Sequence, residues 1–247
     1  MIGRLLKRRR AKAAPRLPEG VRIYAIGDVH GRADLLDRKL SLIDAHIAAH
    51  PIARPIFLFV GDYIDRGPSS RDVLDLLINC SKGREMIFLR GNHDVFILNF
   101  IENPSLLRDW SKIGGLETLM SYGVQPSLNA DAATQKELAK ALENVLPGEH
   151  RRFLTGLDVS FPLGSYFFVH AGVRPGVPLA EQIEEDMLWI RDEFLLHEED
   201  FGKIVVHGHT PVREIDIRPN RINIDTGAYV TGRLTCVMLE GDRVEPL

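Results

Sequence analysis

The stretch Val21-Arg-Ile-Tyr-Ala-Ile-Gly-Asp-Val-His-Gly31 joins an apolar run to a group of small and polar residues. Residues 21–26 have the short apolar pattern of a buried β-strand. The chain then turns and presents Asp28 and His30, and residues 33–49 place apolar side chains at helical spacing. A strand, a turn with functional side chains and a helix in this order predict an α/β sheet.

The same order of elements recurs along the first half of the chain. Residues 55–60 and 85–89 predict two further buried strands, residues 70–81 predict a helix, and another helix should begin at Asp94. This alternation is typical of right-handed βαβ units.

The second half of the chain has a different pattern. Between about residues 102 and 157 the strand signal vanishes and apolar residues fall at helical spacing, which predicts a helical cap inserted beside the active face. We therefore expect a basic arm over residues 1–18 and one domain over residues 19–247. Short strands should dominate from residue 158 onward, at 158–162, 166–169, 204–206, 212–217, 221–224 and 234–239.

Five clusters of small and metal-ligating residues each follow a predicted strand. Ligands of α/β sheets collect at the carboxyl ends of the strands, so five distant segments can meet there. Carboxylate, imidazole and amide oxygen together suit manganese, iron, zinc or magnesium better than a soft thiolate site would. The clusters are Gly27-Asp-Val-His-Gly31, Gly61-Asp-Tyr-Ile-Asp-Arg-Gly67, Gly91-Asn-His-Asp94, His170-Ala-Gly172 and His207-Gly-His-Thr210.

Composition limits the class of protein. Apolar residues make up 45% and charged residues 26% of the 247 positions, which is ordinary for a soluble globular protein with a sizeable core. Cys80 and Cys236 lie in apolar runs without a CxxC partner, and no apolar run is long enough to cross a bilayer. We expect two buried thiols and a cytoplasmic location.

Positive charge is concentrated at the beginning of the chain. Residues 1–16 hold seven lysines and arginines and no acid. Such an arm could touch RNA or an anionic membrane. A solvated tail without a specific partner is the favoured interpretation.

Together, the motifs GDVHG, GDYIDRG, GNHD, HAG and HGHT resemble the bacterial and phage-type serine/threonine protein phosphatases of the phosphoprotein phosphatase family. That family belongs to the calcineurin-like metallophosphoesterase superfamily. The resemblance covers residues 21–244, nearly the whole chain. It implies a calcineurin-like sandwich, in which central mixed β-sheets are flanked by helices, and hydrolysis of phosphate monoesters.

The resemblance also implies two divalent metal ions, Mn²⁺ by expectation, with iron, zinc or magnesium as alternatives. Asp62 would bridge the ions, and a hydroxide held between them would attack phosphorus. The implied ligands are Asp28, His30 and Asp62 for one ion, and Asp62, Asn92, His170 and His209 for the other.

The remaining roles also come from the resemblance. His93 would be the general acid, with Asp65 holding its other ring nitrogen; a buried structural histidine is the alternative. Phosphate would be bound by Arg66, Arg191 and Arg90, although an ion pair is equally open for Arg90.

Two neighbours of this site have open roles. Tyr229 could close over the pocket, or it could pack as an ordinary strand tyrosine. We interpret His207 as a residue that supports the fold or the ligands.

Details of the motifs favour one substrate class over others. The run Gly208-His-Thr-Pro211 lacks the second histidine of related nucleases. By comparison with the resembling families, Asp65 and Thr210-Pro211 favour a phosphatase of phosphorylated proteins or peptides over a symmetrical diadenosine tetraphosphatase, which remains the alternative. We expect a monomer. Asp94, where eukaryotic relatives have glutamate, leaves selectivity between phosphoserine or phosphothreonine and phosphotyrosine open. A catalytically inactive module that binds phosphorylated partners is a third hypothesis.

Overall fold

Two five-stranded β-sheets form the frame of the computed structural model, which describes residues 14–127 and 129–247. The strands are β1 Val21–Ile26, β2 Arg54–Phe59, β3 Glu85–Phe88, β4 Ser160–Leu163, β5 Tyr166–Val169, β6 Ile204–His207, β7 Asp216–Ile217, β8 Arg221–Asn223, β9 Cys236–Glu240 and β10 Arg243–Pro246. The first sheet has the order β10-β9-β1-β2-β3, and the second has the order β4-β5-β6-β8-β7. Strands β1, β2 and β3 are parallel to one another, and so are β5, β6 and β8.

Helices cover the outer faces of both sheets. None of those in the described ranges is long and apolar enough to cross a membrane. They are α1 Ala33–Ala49, α2 Ser70–Cys80, α3 Phe96–Glu102, α4 Leu107–Trp110, α5 Gly115–Ser121, α6 Ala132–Val145, α7 Gly148–Thr155, α8 Glu184–Trp189, α9 Asp192–Leu195 and α10 Ala228–Thr231.

The core has three parts because side chains alternate across each strand. Ile23 and Ala25 of β1 pack between the two sheets. Tyr24 and Ile26 point the other way, into the cluster formed with α1, α2 and the helices between β3 and β4. A smaller cluster joins the outer face of the second sheet to α8 and α9, around Phe194. The result is a sandwich with layers in the order helices, sheet, sheet, helices.

The predicted α/β architecture of mixed sheets flanked by helices is confirmed. The stretch between β3 and β4 is helical, with α3 to α7 in it. The prediction of a strand over 212–217 is wrong in extent, because only Asp216 and Ile217 pair with β8. The preceding residues follow Pro211 and leave the sheet. Strand β10 and the short helices α8 to α10 were not predicted.

The beginning of the chain is described only in part. Residues 1–13, most of the predicted basic arm, lie outside the described residues. Leu17 is buried, and its N–H donates to the carbonyl of Gly241 at 2.8 Å. The folded body thus includes a residue before the predicted boundary at residue 19.

Candidate active site

The parallel strands of both sheets end at the same edge, where the predicted clusters meet. Asp28 follows β1, Asp62 follows β2 and Asn92 follows β3. From the second sheet, His170 follows β5 and His209 follows β6. All five residues are buried, and the N–H of His209 donates to Asp28 Oδ2 at 3.0 Å across the two sheets.

The Asp62 carboxylate lies at the centre of this group. Its Oδ2 is 3.5 Å from His30 Nε2, and its Oδ1 is 3.4 Å from His170 Nε2. Each oxygen therefore faces a different histidine. Around Asp62, potential ligand atoms form two groups, one with His30 and His93 and the other with His170 and His209. A carboxylate in this position is suited to bridge two cations.

The histidines nearest Asp62 expose lone pairs toward other acceptors. His30 Nδ1 donates to the carbonyl of Ile64 at 2.9 Å, and His170 Nδ1 donates to the carbonyl of Val60 at 2.9 Å. Burial lowers the pKa of both rings, to about 3 for His30, so both are neutral at neutral pH. Their Nε2 atoms are then acceptors that face further oxygen acceptors.

Such an arrangement is repulsive unless a cation lies among the acceptors. Asn92 Oδ1 lies 2.9 Å from His170 Nε2 and 2.8 Å from His209 Nδ1. These separations match neighbouring ligands of one ion, since ligands at about 2.1 Å and right angles are about 3.0 Å apart. The residues present thus fit a dinuclear divalent metal site.

Asp28 supports the same conclusion for the ion next to His30. Its Oδ1 is buried without a hydrogen-bond partner. Burial, together with the charges of Asp225 and Asp62, raises the pKa of Asp28 well above its usual range. A divalent ion would supply the missing partner and offset the repulsion among these three carboxylates.

His93 and Asp65 form a buried pair beside this group. His93 Nδ1 donates to Asp65 Oδ2 at 2.8 Å, which leaves Nε2 on the side of Asp62, at 3.9 Å from its Oδ2. Burial lowers the pKa of His93, but the carboxylates of Asp62 and Asp65 outweigh it, so the pKa stands above its ordinary value. The pair has the geometry of a proton donor oriented by a carboxylate.

The three predicted phosphate-binding arginines have different surroundings. Arg66 Nη2 donates to His93 Nε2 at 3.2 Å, and Arg191 Nη1 donates to Thr210 Oγ1 at 3.2 Å, next to His209. Arg90 instead pairs with Glu184 at 2.6 Å and with the carbonyl of Leu157 at 3.2 Å. Arg66 and Arg191 therefore flank the site, while Arg90 is engaged in the alternative ion pair.

Comparison with known proteins places this site in a family. The sequence pattern of the calcineurin-like phosphoesterases matches residues 21–238. The chain belongs to the calcineurin-like phosphoesterase family.

Named relatives of this phosphoesterase include bis(5′-nucleosyl)-tetraphosphatases and serine/threonine-protein phosphatases. It is 27% identical to an asymmetrical bis(5′-nucleosyl)-tetraphosphatase of Anoxybacillus flavithermus, over 86% of this chain and 88% of the relative. It is 26% identical to serine/threonine-protein phosphatase 2 of Salmonella typhimurium, over 86% and 90%. A solved structure provisionally named a diadenosine tetraphosphatase has the same fold, with a TM-score of 0.62 and 20% identity over 92% of both chains.

The structural role of Asp94, a member of a predicted cluster, and the presence of Asp225 in the site were not predicted. Asp94 accepts three backbone N–H groups, at 2.8–2.9 Å, from Gly91, Asp62 and Tyr63. It therefore fixes the turns that carry two predicted ligands. Asp225 follows β8 as Asp28 follows β1, and this shared pattern of an apolar strand and then aspartate could have revealed it.

Two further unpredicted residues come from the helical stretch. Trp110 Nε1 donates to both oxygens of Asp65, at 3.0 and 2.9 Å, and Thr118 Oγ1 donates to Asp65 Oδ1 at 2.6 Å. No local signal in the sequence marks either residue, because the contacts span 45 and 53 positions.

Aromatic rings stand on two sides of the metal-ligand group. The ring of Tyr229 lies 5.3 Å from that of His30 and packs under the Arg66 guanidinium at 4.6 Å. The ring of Trp189 lies 6.4 Å from that of His209. Tyr229 belongs to α10 rather than to a strand.

His207 is fully buried but stands outside both ligand groups. Its ring meets Phe194 edge to face at 4.9 Å, and its Nδ1 lies 3.1 Å from the carbonyl of Gly208. These contacts agree with a supporting role.

Proposed function

We propose that this phosphoesterase is a metal-dependent protein phosphatase that hydrolyses phosphoserine and phosphothreonine monoesters, with phosphotyrosine as a further monoester to test. The observation that carries the proposal is the buried Asp65–His93 pair, with its 2.8 Å contact. Such a pair is useful where a leaving group needs a proton.

The leaving groups of the two candidate substrate classes differ in this need. A serine or threonine alkoxide is strongly basic and leaves poorly unless it is protonated. A phosphoanhydride releases a phosphate group whose second pKa is about 6, so it leaves without an acid. The Asp65–His93 pair therefore favours monoesters of alcohols.

Each side chain of the site has a task in this proposal. Arg66 and Arg191 would bind the phosphate oxygens through their planar guanidinium groups. As the phosphorus–oxygen bond to the alcohol breaks, His93 Nε2 would give its proton to the departing oxygen, and Asp65 would hold Nδ1 throughout.

Arg66 changes partner in this sequence of events. In the structure it donates to His93 Nε2, so that nitrogen carries no proton while the contact lasts. When Arg66 turns to the phosphate, Nε2 becomes free to hold the proton that the alcohol will need.

The metal ligands complete the proposal. Asp28, His30 and Asp62 would hold one ion, and Asp62, Asn92, His170 and His209 the other; we expect Mn²⁺ at both. Bound divalent ions neutralise phosphate charge and lower the pKa of water, which supplies the nucleophile at neutral pH.

A second candidate is hydrolysis of dinucleoside tetraphosphates. It is favoured by the relatives named as asymmetrical and symmetrical bis(5′-nucleosyl)-tetraphosphatases, each 27% identical to this chain. Two relatives named serine/threonine-protein phosphatase 2, at 26% identity, favour the first candidate, although the better-matching relatives are the tetraphosphatases. Sequence similarity alone therefore does not separate the two.

The test uses protein stripped with a chelator and restored with Mn²⁺. Phosphoserine, phosphothreonine and phosphotyrosine peptides are compared with diadenosine tetraphosphate, for the wild type and for His93→Asn. We expect the peptides to have the higher kcat/KM, and His93→Asn to lower kcat on phosphoserine by about 10²–10⁴-fold. Faster cleavage of the nucleotide, with equal effects of His93→Asn on both substrates, would refute the proposal.

A further inference from the structure

The Asp65 carboxylate is fully buried, and its hydrogen-bond donors come from two parts of the chain. His93 Nδ1 lies at 2.8 Å, as part of the turn after β3. Trp110 Nε1 and Thr118 Oγ1 are the other side-chain donors, and both belong to the helical stretch between β3 and β4. The orientation of Asp65 toward His93 thus depends on side chains that do not belong to the metal-ligand group.

The same helical segment also holds the backbone around Asp65. The N–H of Asp65 donates to Thr118 Oγ1 at 2.9 Å, and the N–H of Arg66 donates to the carbonyl of Gly114 at 3.1 Å. Asp65 and Arg66 have φ values of +71° and +66°. Residues other than glycine rarely adopt this left-handed backbone conformation, because it costs about 1–3 kcal/mol at each position. It persists only where the surrounding structure enforces it.

We propose that Trp110 and Thr118 are positioning residues that hold the Asp65 carboxylate in line with His93, so that the helical segment 110–118 controls proton delivery to the leaving group. This inference rests on the proposed role of His93 as general acid. It assigns a task to the helical segment that is separate from substrate contact.

The chemistry of the two donors supports orientation rather than packing alone. The indole N–H of Trp110 can only donate, so it fixes where the carboxylate oxygens lie. The Thr118 hydroxyl donates to Asp65 Oδ1 while it accepts from the Asp65 N–H, which closes a ring around one residue. Without these donors, a carboxylate bonded only to His93 could rotate about its side-chain torsions.

The test compares substrates that differ in their need for a proton. The substitutions Trp110→Phe and Thr118→Val remove a donor each and keep most of the side-chain volume. We expect kcat on a phosphoserine peptide to fall by about 10–100-fold, the usual cost of losing an outer supporting partner. The loss on p-nitrophenyl phosphate, whose leaving group needs little protonation, should be several-fold smaller, and KM should change little on both substrates.

Two further variants separate orientation from general damage to the helical stretch. Thr118→Ser keeps the hydroxyl and should therefore retain most of the wild-type activity on the phosphoserine peptide, in contrast to Thr118→Val. Tyr122→Phe is the matched control, because it removes a buried 2.7 Å contact to His150 in the same stretch without touching Asp65. Its ratio of the two activities should equal that of the wild type. Circular dichroism and metal content are measured for every variant. If Trp110→Phe does not fold, the comparison of Thr118→Val with Thr118→Ser tests the inference.

Equal losses on both substrates, or none, in Thr118→Val and in folded Trp110→Phe would overturn the inference. His93→Asn distinguishes this failure from failure of the proposed function. If His93→Asn discriminates between the two substrates and the Asp65-donor variants do not, only the positioning role is refuted. If His93→Asn fails to discriminate, the acid role itself is refuted.

Discussion

The substitution Gly208→Ala should disable the site by displacing one carboxylate. A methyl group at Gly208 would lie 2.1 Å from Asp28 Oδ1 and 3.0 Å from Val60 Cγ2. Gly208 is not among the residues with left-handed φ, so alanine fits its backbone and the strain falls on side chains. Because non-bonded carbon contacts relax toward about 3.5 Å, Asp28 must move by more than about 1 Å.

That displacement has a calculable cost. A misplacement of about 1 Å in a catalytic group can lower the rate by about 10²-fold. Asp28 cannot move freely, because its Oδ2 accepts the N–H of His209 at 3.0 Å. We therefore expect kcat to fall by about 10²-fold and the affinity for one of two ions to fall by about 10–100-fold.

The assay measures bound Mn²⁺ per chain after passage through a chelating column, and then kcat across a Mn²⁺ titration. The wild type should retain two ions and Gly208→Ala about one, with partial recovery of the rate at high Mn²⁺. Gly148→Ala is the matched control, since its methyl group would approach nothing closer than Arg152 Nη1 at 3.4 Å. Two tightly held ions and an unchanged kcat in Gly208→Ala would refute the role of Asp28 as a ligand.

Three further outcomes are expected. Asp94→Asn should lower the free energy of unfolding of the metal-free protein by about 1–3 kcal/mol, because at least one buried N–H loses its acceptor. Urea denaturation measures this change, and an unchanged free energy would contradict the prediction. Tyr229→Leu should weaken inhibition by inorganic phosphate by about 2–5-fold, since a cation–π contact worth about 0.5–1 kcal/mol then no longer orients Arg66. An unchanged inhibition constant would count against this role of Tyr229. Burial raises the pKa of the Cys236 thiol to about 12, while Cys80 is partly exposed. Ellman's reagent at mildly alkaline pH should therefore titrate one thiol in the native protein and none in Cys80→Ser.

The parallel strands of the first sheet could be predicted because each joins an apolar run to a turn with distinctive residues. β1 and α1 have the predicted bounds, and β2 and β3 differ from theirs by one residue at each shifted end. Two short antiparallel strands could not be predicted in the same way. β7 and β10 are short and polar, and their pairing depends on the neighbouring strand rather than on their own pattern.

The site could be predicted only in part, for a related reason. A polar cluster shortly after a strand has a local signature, and this is why the segments that carry Asp28, Asp62 and Asn92 were expected to meet. Their roles as metal ligands come from the resemblance and stay a prediction. Trp110 and Thr118 have no such local signature, because they reach Asp65 only when the helical stretch packs against the turn after β2. For Arg90 the local position, next to Gly91-Asn-His-Asp94, predicts a residue that lines the pocket. Its ion-pair partner Glu184 lies 94 positions away, so the sequence gives no sign of that contact.

The candidate site contains backbone conformations that lower the stability of the fold. In the described ranges, every residue other than glycine with left-handed φ belongs to the candidate site: His30, Asp62, Asp65, Arg66 and His209. Such a conformation costs about 1–3 kcal/mol at each position and adds nothing to the packing of the strands before it. It does turn the chain sharply at the strand end, so that a side chain points back over the edge of the sheet. Hydrogen bonds to other segments hold these turns: the N–H of Asp62 donates to Asp94 and that of Asp65 to Thr118. The N–H of His209 donates to Asp28. A site built in this way has its ligand geometry fixed by the fold, and metal ions then bind to side chains that are already oriented toward them.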